Sequence, residues 1–137
     1  MGTPLRSRPS VLIVDDDRDN RELFQLVLAE AGYDAIERSN GVDALALLEN
    51  QTFDLMILDL QMPHLNGVSV LKTLRSNPKY DSMKIVIATA NAHMALIEVD
   101  ALADHVIYKP IDLRAFIRLV ERLGRVPSAA GGEGDSP

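Results

Sequence analysis

Short runs of consecutive apolar residues alternate along this chain with longer amphipathic stretches. Val11-Leu12-Ile13-Val14, Leu55-Met56-Ile57-Leu58 and Ile85-Val86-Ile87-Ala88 carry no polar residue at alternate positions, the pattern of a strand covered on both faces. Shorter segments at Tyr33 to Glu37 and Val106 to Tyr108 complete five predicted strands. From about Arg18 to Ala31, apolar Leu23, Leu26, Val27 and Ala31 recur at helical spacing, and Gly32 follows as a C-terminal cap. Further helices are predicted over Val42 to Glu49, Val68 to Arg75 and Ala92 to Leu102. A last one is capped by Asp112, packs through Leu113, Phe116, Ile117 and Val120, and ends near Leu123.

Five strands alternating with five helices imply an α/β fold, a flavodoxin-like doubly wound parallel sheet with helices on both faces. The strand order 2-1-3-4-5 reverses the direction of winding between strands one and three and opens a crevice at their carboxyl ends. The expected domain spans residues 10–124. The segments 1–9 and 125–137, rich in Pro, Gly, Ser and Ala and without periodicity, are expected to be flexible tails.

With 137 residues, 47% of them hydrophobic, the chain has the material for one domain and a substantial core. Cys is absent, which removes disulfides, thiolate metal sites and cysteine nucleophiles and suits a cytoplasmic setting. The net charge of −6 argues against direct nucleic-acid binding, which depends on Lys and Arg displacing counterions. No stretch approaches the roughly 18 apolar residues of a membrane span, and no membrane association is expected.

The chemistry gathers at strand ends. Asp15-Asp16-Asp17 follow strand one, Asp59 ends strand three, Thr89 ends strand four and Lys109 ends strand five. Each alone reads as a loop or cap residue, and Asp17 and Asp19 are both candidates to cap the first helix. Together they place acids, a hydroxyl and a cation around one crevice. Carboxylates crowded in a cleft repel one another unless a cation shares the site, and Mg²⁺ suits a set of oxygen ligands with no His or Cys nearby. A carboxylate can also be the nucleophile of phosphoryl transfer, with Lys109 and the Thr89 hydroxyl binding phosphoryl oxygens.

At these residues the sequence resembles the response-regulator receiver domain of two-component signalling, from Ser10 to Leu123. Four ordered segments carry the resemblance: Val14-Asp15-Asp16-Asp17, Leu58-Asp59-Leu60-Gln61-Met62-Pro63-His64-Leu65-Asn66-Gly67, Ala88-Thr89-Ala90 and Lys109-Pro110. It implies that Asp59 accepts a phosphoryl group from a histidine kinase or histidine phosphotransfer protein and that the chain catalyses its own phosphorylation and dephosphorylation. It further implies Mg²⁺ held by Asp16, Asp59 and the Gln61 backbone carbonyl, with Asp15 acting mostly through water, and Thr89 and Lys109 sensing the phosphoryl group. The Lys109-Pro110 bond is expected to be cis. An unknown downstream protein would receive the signal. Gln61 and Asn91 stand at variable positions that flank the phosphoryl group. Two departures fall in the output half: the region from Thr89 to Lys109 is about two residues short, and Val106 replaces the usual aromatic residue.

Rival readings are weaker. Asp15, Asp17 and Asp19 have the spacing that opens an EF-hand loop, but Asn20 stands at the turn glycine and Leu26 at the bidentate glutamate. A haloacid-dehalogenase-like phosphatase would make Asp15 the nucleophile and leave Asp59 idle. A degenerate receiver serving only as a binding module would not need the full set of acids, Thr89 and Lys109. His64, His93 and His105 lack metal spacing, and Arg114, Arg118, Arg122 and Arg125 read as a solvated stripe.

Overall fold

A computed structural model describes residues 8–91, 93 and 97–124. Five parallel strands, β1 (Ser10–Val14), β2 (Asp34–Arg38), β3 (Leu55–Leu58), β4 (Lys84–Thr89) and β5 (His105–Tyr108), pair in the order β2-β1-β3-β4-β5. Five helices connect and cover them: α1 (Arg18–Glu30), α2 (Gly41–Leu48), α3 (Gly67–Arg75), α4 (Ile97–Leu102) and α5 (Leu113–Gly124). None of the described helices is long and apolar enough to cross a membrane.

Side-chain alternation along the central strands divides the core. Leu12, Val14, Met56, Leu58, Ile85 and Ile87 face one way and pack with Ala44, Leu48, Val70, Leu71, Leu74 and Val99 of α2, α3 and α4. Val11, Ile13, Leu55, Ile57, Val86 and Ala88 face the other way, against Phe24, Val27 and Leu28 of α1 and Phe116, Leu119 and Val120 of α5. Val106 is half-buried and packs on the first of these clusters.

The helices begin where short polar side chains satisfy free N–H groups. Asp17 accepts from Asp19 N at 2.8 Å, Asn40 from Asp43 N at 2.8 Å, Asn66 from Ser69 N at 3.0 Å and Asp112 from Ala115 N at 3.2 Å. At the end of α1, Gly32 takes φ +95°, and the N–H groups of Gly32 and Tyr33 return to Ala29 O and Leu28 O, as a left-handed helix terminus requires.

Several expected boundaries shift for local reasons. The α1 face is rotated: Phe24 and Leu28 enter the core, while Leu23 and Leu26 are exposed. Tyr33 belongs to the helix terminus rather than to β2, and its hydroxyl donates to the Val120 carbonyl. Leu113 is exposed at the start of α5, whereas Phe116 and Val120 are buried as the pattern predicts. The helix expected from Ala92 is observed only from Ile97, with Ala92 and residues 94–96 outside the described residues; Asn91 instead accepts from His93 N at 3.0 Å. A 3₁₀ turn at Pro78–Tyr80, opened by Asn77, was not anticipated. The segments 1–7 and 125–137, with Arg125 of the basic stripe, lie outside the described residues.

Arg75 ties the far side of the sheet together. Its guanidinium donates to the carbonyls of Leu102 (2.9 Å), Tyr80 (3.0 Å) and Met83 (3.0 Å) and pairs with Asp104 at 2.9 Å, while the same Asp104 oxygen accepts from Ile85 N. Arg75→Ala would strand these acceptors, and an expected loss of about 3 kcal/mol follows from leaving several half-buried polar groups unpaired. The check is a chemical-denaturation curve followed by circular dichroism, with a lower midpoint at unchanged slope. At the same, amino-terminal end of the strands, a cavity of about 430 Å³ lies among Pro9, Gly32, Tyr33, Val120 and Gly124.

Candidate functional site

The sheet ladder continues one step beyond the strands. Asp15 N bonds to Arg38 O, Asp59 N to Val14 O at 3.0 Å and Lys109 N to Thr89 O at 2.9 Å. These three residues are therefore the last rungs of a buried parallel sheet and inherit its rigidity. The Lys109-Pro110 peptide bond is cis. Their side chains meet: the Lys109 ammonium lies 2.8 Å from Asp15 Oδ2 and 3.3 Å from Asp59 Oδ2. They line a cavity of about 300 Å³ together with Asp16, Asp17, Asn20, Gln61 and Ala90.

The three carboxylates differ in their surroundings. Asp15 is 2% exposed and Asp59 6%, whereas Asp16 is open to solvent. Both oxygens of Asp15 are engaged, Oδ1 by Asp17 N at 2.9 Å and Oδ2 by Lys109 at 2.8 Å. Asp59 Oδ1 accepts from Gln61 N at 3.1 Å. Burial pushes the Asp59 carboxyl above its ordinary value of 3.8; the Gln61 N–H and the Lys109 charge oppose this, and the Asp15 charge adds to it. Burial alone would lower the Lys109 ammonium. Its hydrogen bond and charge pairing with Asp15, reinforced by Asp59, prevail and hold it above its ordinary value.

Asp15, Asp16 and Asp59 offer carboxylate oxygens that all lie within 4.8 Å of one another. Such a set of hard oxygen donors, one of them solvent-facing, fits a small divalent cation that keeps some of its waters. Thr89 sits at the end of β4, fully buried, and its hydroxyl accepts from Asn91 N at 3.1 Å; the hydroxyl proton stays available to donate. The cavity wall beside it is formed by Ala90.

Two residues near the cavity were not singled out from the sequence. Asn20 lines it from the first turn of α1. Arg21, in the next position, donates to the Asp15 carbonyl at 2.9 Å and to Glu37 at 3.1 Å. A cation in the first turn of a helix faces the positive end of the helix dipole, a signal that its partner lies elsewhere.

Comparison with known proteins places this geometry. The family described as "Response regulator receiver domain" matches residues 11–121. The response regulator MprA of Mycobacterium sp. (strain KMS) is 36% identical over 129 residues, which is 93% of this chain and 55% of that protein, so the chain spans about half of its length. The polar-differentiation response regulator DivK of Brucella anthropi is 34% identical over 83 residues, covering 61% of this chain and 68% of that one. Among solved structures, the response regulator TrrA of Thermotoga maritima, in complex with Mg(2+)-BeF, superposes with a TM-score of 0.76 at 31% identity, covering 84% of this chain and 98% of that one. A CheY-like receiver domain from Methylobacillus flagellatus gives a TM-score of 0.77 at 27% identity, with the same coverage.

Proposed function

Because this chain belongs to the response-regulator receiver family, we propose that Asp59 is its phosphoacceptor and that a histidine kinase or histidine phosphotransfer protein is the donor. The observation that carries this reading is the Lys109 ammonium bridging Asp15 and Asp59 at the switch point of the sheet. An Asp59 carboxylate oxygen attacks phosphorus, the bond from phosphorus to the donor imidazole breaks, and its electron pair returns to the imidazole nitrogen. Lys109, already within reach of both acids, pairs with a phosphoryl oxygen, and the Thr89 hydroxyl donates to another.

Asp16, Asp59 and the Gln61 backbone carbonyl are the proposed direct ligands of Mg²⁺. Asp15, the more deeply buried of the pair that Lys109 bridges, contributes through a water. When bound, Mg²⁺ neutralises charge on the phosphoryl oxygens. Phosphorylation then shifts the population of conformations that a downstream protein reads. The phosphoryl group can shift these conformations only by the difference in its interaction with each, so the effect is expected to be graded; the half-buried Val106 offers no aromatic ring to report on Thr89.

The test is incubation with a small-molecule phosphodonor and Mg²⁺, then intact mass and peptide mapping under conditions that preserve acyl phosphates. Label confined to Asp59 supports the reading, and label at Asp15 or nowhere refutes it. Asp16→Asn is expected to lose Mg²⁺-dependent labelling while its circular dichroism spectrum stays unchanged, because its side chain is exposed.

A further inference from the structure

We propose that Arg21 is a positioning residue for the cation site: by pinning the peptide that joins Asp15 to Asp16, it holds the Asp16 carboxylate where a divalent ion binds. This rests on the receiver reading and goes beyond it, since Arg21 does not itself line the cavity and reaches it only through the Asp15 carbonyl.

Asp15 is fixed at every polar group. Its N–H reaches Arg38 O at 3.3 Å, Oδ1 accepts from Asp17 N, Oδ2 from Lys109, and the carbonyl from Arg21 Nη1 at 2.9 Å. Asp16 has none of this: it is exposed, and among the described residues its side chain has no hydrogen-bond partner. Its direction therefore depends on its backbone. The carbonyl of Asp15 and the N–H of Asp16 belong to one planar peptide unit, so a donor fixed on that carbonyl fixes the plane from which Asp16 departs. The preceding peptide is held by the β2 ladder, and Arg21 holds the next one.

Arg21 is itself held. Its side chain is only 17% exposed, and its Nε donates to Glu37 at 3.1 Å, so one guanidinium fork joins the loop after β1 to the end of β2. A fork of this kind is rigid, whereas a Lys at the same place offers one mobile point charge. Groups that orient ligands from behind typically change metal affinity by about 10- to 100-fold when removed.

The experiment measures Mg²⁺ binding to the unphosphorylated chain by calorimetry, and separately the Mg²⁺ dependence of labelling by a small phosphodonor. Arg21→Ala is expected to weaken Mg²⁺ binding about tenfold and to raise the half-saturating Mg²⁺ for labelling by the same factor, with the maximal rate approached again at saturation. Arg21→Lys should fall between Arg21→Ala and the unsubstituted chain, and it stands in if the alanine variant fails to fold. A lower melting temperature with unchanged Mg²⁺ affinity in either variant would assign Arg21 a purely structural role and overturn the proposal. Failure of the unsubstituted chain to bind Mg²⁺ or to be labelled would instead overturn the receiver reading, and this inference with it.

Discussion

An Asp59→Asn chain is expected to accept no phosphoryl group from any donor and at the same time to melt at a higher temperature than the unsubstituted chain in metal-free buffer near neutral pH. The amide has the shape of the carboxylate, and its oxygen can still accept from Gln61 N, but it is not a nucleophile. The gain in stability comes from burial. Asp59 is 6% exposed, and desolvation raises its carboxyl above the ordinary 3.8. For an acid whose folded value is raised, the stability present below its unfolded value is lost as pH rises through the folded value. The difference in melting temperature between the two chains should therefore be small near pH 3.8 and widen with rising pH. A pH series by scanning calorimetry, with labelling followed by intact mass, checks both halves. Retained labelling would remove Asp59 as the acceptor, and a gap that narrows with rising pH would contradict the burial argument.

Gly67→Ala should be the most disruptive single methyl group in the molecule. A Cβ at residue 67 would lie 2.2 Å from the Asp59 carbonyl oxygen, 2.6 Å from Leu60 Cα and 2.9 Å from the Asp59 carbonyl carbon. All three are backbone atoms, so no rotamer change relieves the clash. The Gly67 N–H also bonds to Leu60 O at 2.8 Å, which holds the first turn of α3 against the segment that carries Asp59. Either α3 retreats or Asp59 shifts. The expected cost is about 3 kcal/mol, a fall of roughly 10 °C or more in melting temperature, together with slower labelling at any Mg²⁺ concentration. Gly32→Ala is the contrasting case: nothing lies within 4 Å of its Cβ, but φ is +95°, so the expected loss is about 1 kcal/mol and labelling is untouched.

Much of this architecture could be read before any coordinates. The strands Val11 to Val14, Leu55 to Leu58 and Ile85 to Ala88 were legible because a strand covered on both faces has no polar positions to confuse its pattern. The placement of Asp15, Asp59, Thr89 and Lys109 at one edge then followed from topology. The orientation of α1 was not legible in the same way. Its apolar residues satisfy helical spacing on two overlapping faces, and the choice is made by a residue far along the chain. Phe24 turns inward because Phe116 of α5 meets it, with ring centroids 5.3 Å apart. Arg21 escaped notice for a related reason. Its partners are a backbone carbonyl and Glu37, brought together only by the pairing of β1 with β2, and neither leaves a trace in local sequence. Asn20 was missed because nothing in its neighbourhood distinguishes it from an ordinary first-turn residue. The turn at Pro78 was signalled by the preceding Asn77, which a stricter reading of Asn-Pro would have caught.

The cavity among Pro9, Gly32, Tyr33, Val120 and Gly124 marks the amino ends of the strands, the pole away from the acids. The backbone enters the fold and leaves it around that one hollow. A unit whose entry and exit are neighbours can be spliced into the loop of another protein without prying its own ends apart, and here the seam would face away from Asp15, Asp59 and Lys109. In engineering terms the fold is a cartridge: its wiring emerges at the back, and its chemistry points out of the front.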